Sequence, residues 1–273
     1  MNIFFISQSG SLKMFHRLLI SMKEKIKIGN VGFYITDSFN YYNYRKENPN
    51  FIEQDFEILR EWDIINNSKS QKVDSKILKE YSNILENFNI WDAITSDRFL
   101  YYGKKCNLYQ NYQPRFNEKE LNSILQTALI KIHKSIINLS PDIILGYNCI
   151  TFGETLFYYF AKSLKIKYAN LRSLKLQNYV CYGDSIHKSI KPIINIYEEY
   201  QKKCKEDSFV LEAEKFINQS KNKRVKYEGV RQDNKKEAIF RKNFFKIIKN
   251  MYKSEYIYWL KAGRKDNQCS SPL

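Results

Sequence analysis

The sequence has 273 residues, of which 43% are hydrophobic and 27% charged, with a formal net charge of +16. This composition excludes a disordered chain, and no apolar run approaches the roughly 18 residues of a membrane-spanning helix. The N-terminus lacks the pattern of a signal peptide, and no two of the five cysteines have zinc-site or redox-motif spacing. We therefore predict a cytoplasmic protein without a metal ion or other cofactor.

The positive charge is unevenly distributed along the chain. Residues 201–250 carry half of the net charge of +16, and the rest follows a general enrichment in Lys, Asn, Ile and Tyr. A nucleic-acid-binding domain would be expected to add a base-reading motif or an aromatic-studded sheet, and neither is recognisable. The sequence therefore predicts no specific nucleic-acid partner.

The first forty residues predict a strand, a helix and a second strand. Residues 3–6 are an apolar run typical of a strand that is covered on both faces of a parallel sheet, and the strand is predicted over residues 2–7. A small-residue turn follows, and the apolar spacing of residues 12–26 predicts a helix. Residues 31–36 predict the second strand, which completes a right-handed βαβ unit.

The middle of the chain predicts helices. Two are expected near residues 52–60 and 76–88, and a third over 117–138. Asn117 is a favourable N-cap for the third helix, and Glu120 stands three residues later, as in a capping box.

A second βαβ unit is predicted from Ile143–Tyr147, through a helix over 152–164, to a strand over 168–171. After Asp184 the composition changes, and residues 192–262 predict only helices. The expected fold is α/β: a Rossmann-like, mostly parallel sheet flanked by helices and followed by a helical C-terminal region. The predicted units are a Rossmann-like domain over 1–190, a helical linker over 191–262 and a polar tail over 263–273.

Ligands bind open parallel sheets at the carboxyl ends of the strands, so the loops that follow the strands contain the candidate site residues. Ser9 and Gly10 follow the first strand, although a helix-capping turn explains them equally well. The loop after the Ile143–Tyr147 strand contains Asn148, and Glu154 follows it.

Glu154 is either a carboxylate favoured by its helix dipole or the acid or base of a transfer reaction. Arg172 ends the next strand and has the geometry to bind a phosphate or carboxylate.

One segment resembles a known family. Residues 89–98, which include Trp91, Asp97 and Arg98, are similar to the "W-x-A-x-x-(S/A)-D-R" segment of bacterial capsule and surface-polysaccharide biosynthesis proteins. Without the resemblance, Arg98 is either the surface ion-pair partner of Asp97 or a second anion contact. Six further segments match the family: Ser9-Gly10-Ser11, Pro141-Asp142-Ile143-Ile144-Leu145, Phe152-Gly153-Glu154, Ala161-Lys162, Leu171-Arg172-Ser173 and Tyr182-Gly183-Asp184-Ser185.

The resemblance implies a GT-B glycosyltransferase, in which the first Rossmann-like domain binds the acceptor and a second binds the nucleotide sugar, with no obligatory metal. It implies a catalytic role for Glu154, as the group that takes the proton of the acceptor hydroxyl. The implied substrate-binding residues are Ser9, Gly10, Asp97, Arg98, Asn148, Arg172 and Asp184. The implied partners are a glycan or lipid-linked sugar acceptor and a second polypeptide that supplies the nucleotide-sugar domain.

The sequence departs from the family at two places. Lys165-Ile166-Lys167 stands where the family commonly has Gly-Ile-Pro. The chain also ends at Leu273, before a second domain. We therefore expect the N-terminal half only, either as a truncated product or as a chain that acts with a separate polypeptide, and we expect it to transfer no sugar by itself.

An alternative function depends on residues 236–261. In this segment five apolar residues share one helical face opposite four lysines, as in helices that lie on anionic membranes. The chain would then be a non-catalytic module that contacts the inner membrane surface or a partner. The same face could equally pack onto the body of this domain or onto the second domain.

Overall fold

The computed structural model describes residues 1–8, 10–85, 88–101, 116–147, 151–173, 180–187, 191–203 and 207–223. The protein is an α/β structure with a six-stranded sheet in the order β3-β2-β1-β4-β5-β6. The first five strands of the chain are parallel, and β6 is antiparallel to β5. The strands are β1 (Ile3–Ser7), β2 (Val31–Ile35), β3 (Glu57–Arg60), β4 (Ile143–Tyr147), β5 (Lys167–Ser173) and β6 (Val180–Gly183).

Helices cover both faces of this sheet. They are α1 (Ser11–Lys23), α2 (Ser38–Glu47), α3 (Glu61–Ser68), α4 (Ser75–Ile84), α5 (Asp92–Ser96), α6 (Arg98–Tyr101), α7 (Glu118–Leu139), α8 (Phe152–Ser163), α9 (Lys191–Lys203) and α10 (Asp207–Lys223). Alternate strand residues divide the core in two because successive side chains of a strand point to opposite faces. Phe4 and Ile6 pack towards α7 and α8, whereas Ile3 and Phe5 pack towards α1 and α2.

The predicted α/β class with a mostly parallel, helix-flanked sheet is confirmed, and its strand order is compatible with a Rossmann-like fold. Both βαβ units form as predicted, although α1 ends at Lys23, before Ile26. The predicted capping box of α7 is also present. Asn117 accepts a hydrogen bond from the Glu120 backbone NH, and the Glu120 side chain accepts one from the Asn117 backbone NH.

The helix predicted near residues 52–60 is wrong. The chain forms one 3₁₀ turn at Glu53–Asp55 and then β3, which pairs with β2 at the edge of the sheet. Polar contacts hold this short strand in place. Arg60 donates to Glu53 and to Asp63, and Glu57 accepts a hydrogen bond from Ser135 of α7. The pairing of backbone groups with β2 overrides the weak local preference for a helix.

The residues after 190 are helical as far as the structure describes them, in α9 and α10. The rest of the predicted linker, the polar tail over 263–273 and the basic segment 236–261 lie outside the described residues. Within the described residues, no helix has both the length and the apolar character to cross a lipid bilayer.

The direction of the chain across the sheet reverses between β1 and β4. From β1, the strands β2 and β3 extend to one side, whereas β4 and β5 extend to the other. In open α/β sheets this reversal separates the two adjacent loops and creates a crevice at the carboxyl ends of the strands. Gln8, directly after β1, and Thr151, which precedes α8, are hydrogen-bonded to each other at this edge of the sheet.

Helix α8 ends in a Schellman motif at the opposite edge of the sheet. The Ile166 NH donates to the Ala161 carbonyl at 2.8 Å, and the Lys165 NH donates to the Lys162 carbonyl at 3.3 Å. Lys165 takes the left-handed conformation that the motif requires, with φ of 56°. Glycine is usual at this position, and another residue costs about 1–2 kcal/mol.

Helix α8 also packs tightly against β2 through a glycine. A Cβ atom at Gly153 would lie 2.1 Å from the ring of Tyr34, which is fully buried and donates a hydrogen bond to Glu61. We expect Gly153→Ala to lower the free energy of unfolding by about 1–3 kcal/mol, because neither the ring nor the helix has room to move. Urea denaturation followed by circular dichroism measures this loss.

The control for this substitution is Gly10→Ala. No atom lies within 4 Å of the position that a Cβ at Gly10 would occupy, and its φ of −78° suits any residue. We expect no loss of stability, or a gain of up to about 1 kcal/mol. Equal urea midpoints for Gly153→Ala and Gly10→Ala would contradict the packing argument.

Candidate functional site

A buried carboxylate lies beside the crevice. Glu154 stands in the first turn of α8, which begins at the carboxyl edge of the sheet, and its side chain is 0% exposed. The side chain lies over the end of β4, where Gly146 provides the space: a Cβ at that position would be 2.2 Å from Glu154 Oε1. The sequence therefore pairs a glycine on the strand with a carboxylate on the helix.

Three side chains donate hydrogen bonds to Glu154. Gln8, directly after β1, donates from Nε2 to Oε2 at 2.5 Å. From β5, the Tyr168 hydroxyl donates to Oε1 at 2.8 Å and Asn170 Nδ2 donates to the same oxygen at 2.6 Å. The carboxylate thus connects α8 to the strands on both sides of β4.

The hydrogen-bond network continues outwards along β5. Arg172 Nε donates to Asn170 Oδ1 at 3.1 Å, and the Arg172 guanidinium also donates to the backbone carbonyl of Ser185. The Ser185 hydroxyl accepts from the Tyr158 hydroxyl at 3.2 Å. Arg172 is therefore held by the segment that follows β6 as well as by its own strand.

Polar groups also surround the N-terminus of α8. Thr151 is the N-cap and accepts a hydrogen bond from Gln8 Nε2 at 3.1 Å. Asp97 is buried and accepts from the backbone NH of Phe152 at 3.1 Å and from that of Leu100 at 3.0 Å. A carboxylate at this position is stabilised by the helix dipole and fixes the start of α8 against α6.

Burial raises the pKa of Glu154 from 4.5 to about 7. The cause is desolvation, which disfavours the charged form and outweighs the opposite effects of the donors Tyr168, Asn170 and Gln8 and of the Arg172 charge. The carboxyl group can therefore gain or lose a proton near neutral pH.

The structure brings some of the sequence-derived residues together and separates others. Asp97, Glu154 and Arg172 belong to one connected region around α8 and β5, and Gly10 is the N-cap of α1, two residues after Gln8. Asp184 follows β6, and because β6 is antiparallel, Asp184 lies towards the amino-terminal end of β5. Arg98 begins α6 directly after Asp97. Ser9 and Asn148 lie outside the described residues.

Three residues of the network were not identified from the sequence: Gln8, Tyr168 and Asn170. A signal for two of them is present in β5, where Tyr168, Asn170 and Arg172 alternate with Ala169 and Leu171. Polar groups at every second position of a buried strand must find partners on one face of the sheet. That alternation points to a polar partner on the covering helix, which is Glu154.

The arrangement fixes the walls of a crevice. Both carboxylate oxygens of Glu154 accept hydrogen bonds from protein groups, and the side chain has no exposed surface, so its predicted role as proton acceptor stays a prediction. Within the described residues, no cluster of three His, Cys, Asp or Glu side chains could hold a metal ion.

The raised pKa of Glu154 predicts how stability depends on pH. The folded state binds this proton more tightly than the unfolded state, so stability falls as pH rises from about 4.5 through about 7. Glu154→Gln removes the ionisation, and the Gln8 amide can turn over to accept from the new NH₂ group. We expect the free energy of unfolding of the variant, relative to that of wild type, to rise by up to about 3 kcal/mol between pH 5 and pH 8.

Urea denaturation of both proteins at several pH values measures this difference. The comparison separates the effect of Glu154 on stability from the effects of His16 and His133. Burial lowers the pKa of both histidines, so their contribution to stability increases as pH rises. Glu118→Gln, which removes an exposed carboxylate from α7, is the matched control and should keep the wild-type profile. Parallel profiles for Glu154→Gln and wild type would exclude a raised pKa.

The sheet topology and the Glu154 network are the observations from which a function can be argued. The chain was compared with protein-family models, with curated proteins and with solved structures, and none of them matches it.

Proposed function

We propose that this chain is the acceptor-side half of a GT-B-type glycosyltransferase of surface or capsular polysaccharide biosynthesis. It binds a glycan or lipid-linked sugar acceptor in the crevice at the carboxyl ends of β1 and β4. The observation that carries the proposal is the hydrogen bond from Gln8 to Glu154, which joins the loop after β1 to the start of α8.

The position of that hydrogen bond supports a ligand site. It lies where the strand order reverses, between β1 and β4, and the N-termini of α1 and α8 are directed towards the same crevice. Helix N-termini carry a partial positive charge that suits hydroxyl or phosphate oxygens. The space next to Gly10 is open, so a ligand can approach the backbone there.

The rigidity of the wall also supports the proposal. The backbone of Gln8 is held at both its groups, because its NH donates to Ser11 Oγ at 2.8 Å and its carbonyl accepts from the Ser11 NH at 2.9 Å. A loop held in this way loses little conformational entropy when it orients an acceptor, and orientation supplies much of the rate of a transfer reaction.

Under this proposal Glu154 takes the proton of the acceptor hydroxyl, as the family resemblance implies. A pKa of about 7 suits a group that accepts a proton near neutral pH. The carboxylate is covered by Gln8 on the side of the crevice, so an acceptor hydroxyl reaches it only when the Gln8 side chain turns aside.

The proposal leaves the nucleotide sugar to a second Rossmann-like domain. The transfer takes place in the cytoplasm, at the inner membrane surface where lipid-linked acceptors are displayed, and requires no metal ion.

The test is a titration with a short-chain polyprenyl-diphosphate-linked hexosamine, followed by amide chemical shifts. We expect shifts at Gln8, Gly10 and Thr151, and none of similar size with a uridine-diphosphate sugar. In Gly10→Leu the new side chain fills the open space without disturbing the fold, so the dissociation constant should rise at least about tenfold, or about 1.4 kcal/mol.

The matched control is Asn66→Leu, which adds the same side chain to an exposed position near the end of α3. It should bind as wild type does. Shifts around Gln8 with the nucleotide sugar alone, or equal binding by Gly10→Leu and wild type, would contradict the proposed acceptor site.

A further inference from the structure

A second concave surface lies at the opposite edge of the sheet. It is a pocket of about 340 Å³ between the end of α8 and the start of β5. Its lining includes Lys162, Lys165, Lys167 and Asp184, together with Tyr168. The amino-terminal edge of a parallel sheet is not the usual ligand edge, so this pocket is separate from the crevice beside Glu154.

The lining of this pocket has an excess of positive charge. Three lysines and one aspartate line it, and within the described residues none of these four side chains forms an ion pair. Lys162 Nζ lies 5.5 Å from the centre of the Tyr158 ring, a cation–π contact that orients this side chain. The pocket therefore carries a net charge of about +2 that no described acidic group neutralises.

Lys165, which lines this pocket, has a left-handed backbone conformation. The Schellman motif requires a left-handed residue at this position, and glycine would adopt that conformation without strain. The helix dipole favours a cation near the end of α8, which accounts for Lys162. It does not account for a lysine in a strained conformation, or for Lys167 on the neighbouring strand. Strain of this kind is commonly retained where it serves a site.

The end of α8 does not repel an anion from the pocket. The carbonyls of Phe160, Ala161 and Lys162 accept hydrogen bonds from the NH groups of Leu164, Ile166 and Lys165. The partial negative charge at this terminus is thereby reduced, and the lysine side chains dominate the local potential.

We propose that the pocket is a binding site for a phosphate or diphosphate group, held by Lys162, Lys165 and Lys167. Lysine binds phosphate as a point charge on a flexible stem, which suits a shallow, exposed pocket. A phosphate dianion neutralises the local charge of about +2. The group belongs either to a free phosphorylated molecule or to the headgroup of an anionic lipid. This site does not depend on the proposed glycosyltransferase function.

The test uses the full chain and inorganic pyrophosphate, with binding measured by isothermal titration calorimetry. Other lysines of a chain with a net charge of +16 also attract anions, so the result is the difference between variants. Both Lys165→Gly and Lys165→Ala should raise the dissociation constant about tenfold. Lys134→Ala, which removes an exposed lysine from α7, is the matched control and should have no effect.

Thermal unfolding without ligand tests whether Lys165 is retained for binding or is an ordinary surface lysine. Lys165→Gly relieves the left-handed strain and should raise the melting temperature by roughly 2–4 °C, whereas Lys165→Ala keeps the strain and should not. A variant that is more stable and yet binds less tightly is the signature of a residue retained for binding. Unchanged pyrophosphate binding in Lys165→Gly, or an equal loss in Lys134→Ala, would overturn the proposal.

Co-sedimentation with vesicles distinguishes the two sources of the phosphate group. Phosphatidylglycerol vesicles should bind wild type more than Lys165→Gly, with pyrophosphate as competitor, if a lipid headgroup is the ligand. If a free phosphorylated molecule is the ligand, Lys165 affects pyrophosphate binding but not vesicle binding. Phosphatidylcholine vesicles give the background. Either pattern supports the site, and a lack of Lys165 dependence in both measurements excludes it.

Discussion

The hydrogen bonds to the buried Glu154 carboxylate are the interactions on which the position of α8 against the sheet depends. The carboxylate sits over Gly146 of β4 and accepts hydrogen bonds from Gln8 after β1 and from Tyr168 and Asn170 of β5. Leaving these donors without an acceptor would cost about 1–3 kcal/mol each, so the group fixes the start of α8 relative to three strands. The ends of β1, β4 and β5 are therefore held together by a polar network inside an apolar core.

Elements with a strong local signal could be predicted from the sequence. The apolar runs of β1 and β4 and the Asn117 capping box of α7 are local features, and they form as expected. β3 was missed because its four residues have polar ends, and only pairing with β2 makes them a strand. Gln8 was missed because its partner Glu154 lies 146 residues away, a distance that no periodicity spans.

Helix α8 and strand β5 connect the two edges of the sheet. The helix begins at the crevice, with Glu154 in its first turn, and ends beside the pocket lined by Lys165. Tyr168 belongs to both places, since it is among the residues that line the pocket and its hydroxyl donates to Glu154. Asp184, expected at the crevice from the family resemblance, is carried to the pocket by the antiparallel direction of β6. Strand direction, which the sequence pattern did not reveal, decides where that carboxylate lies.

The pairing of β1 with β4 has a consequence for how the chain folds. Asn2 and Asp142, whose backbone and carboxylate are hydrogen-bonded beside this pair of strands, are 140 residues apart. Closing so long a loop makes the central pairing slow. The chain loses the conformational entropy of the loop before the contacts between β1 and β4 can compensate for that loss. On the ribosome, the β1–β2 unit must therefore wait with one edge of an apolar strand unpaired until β4 emerges. Chaperones have the greatest opportunity to bind the nascent chain during that interval.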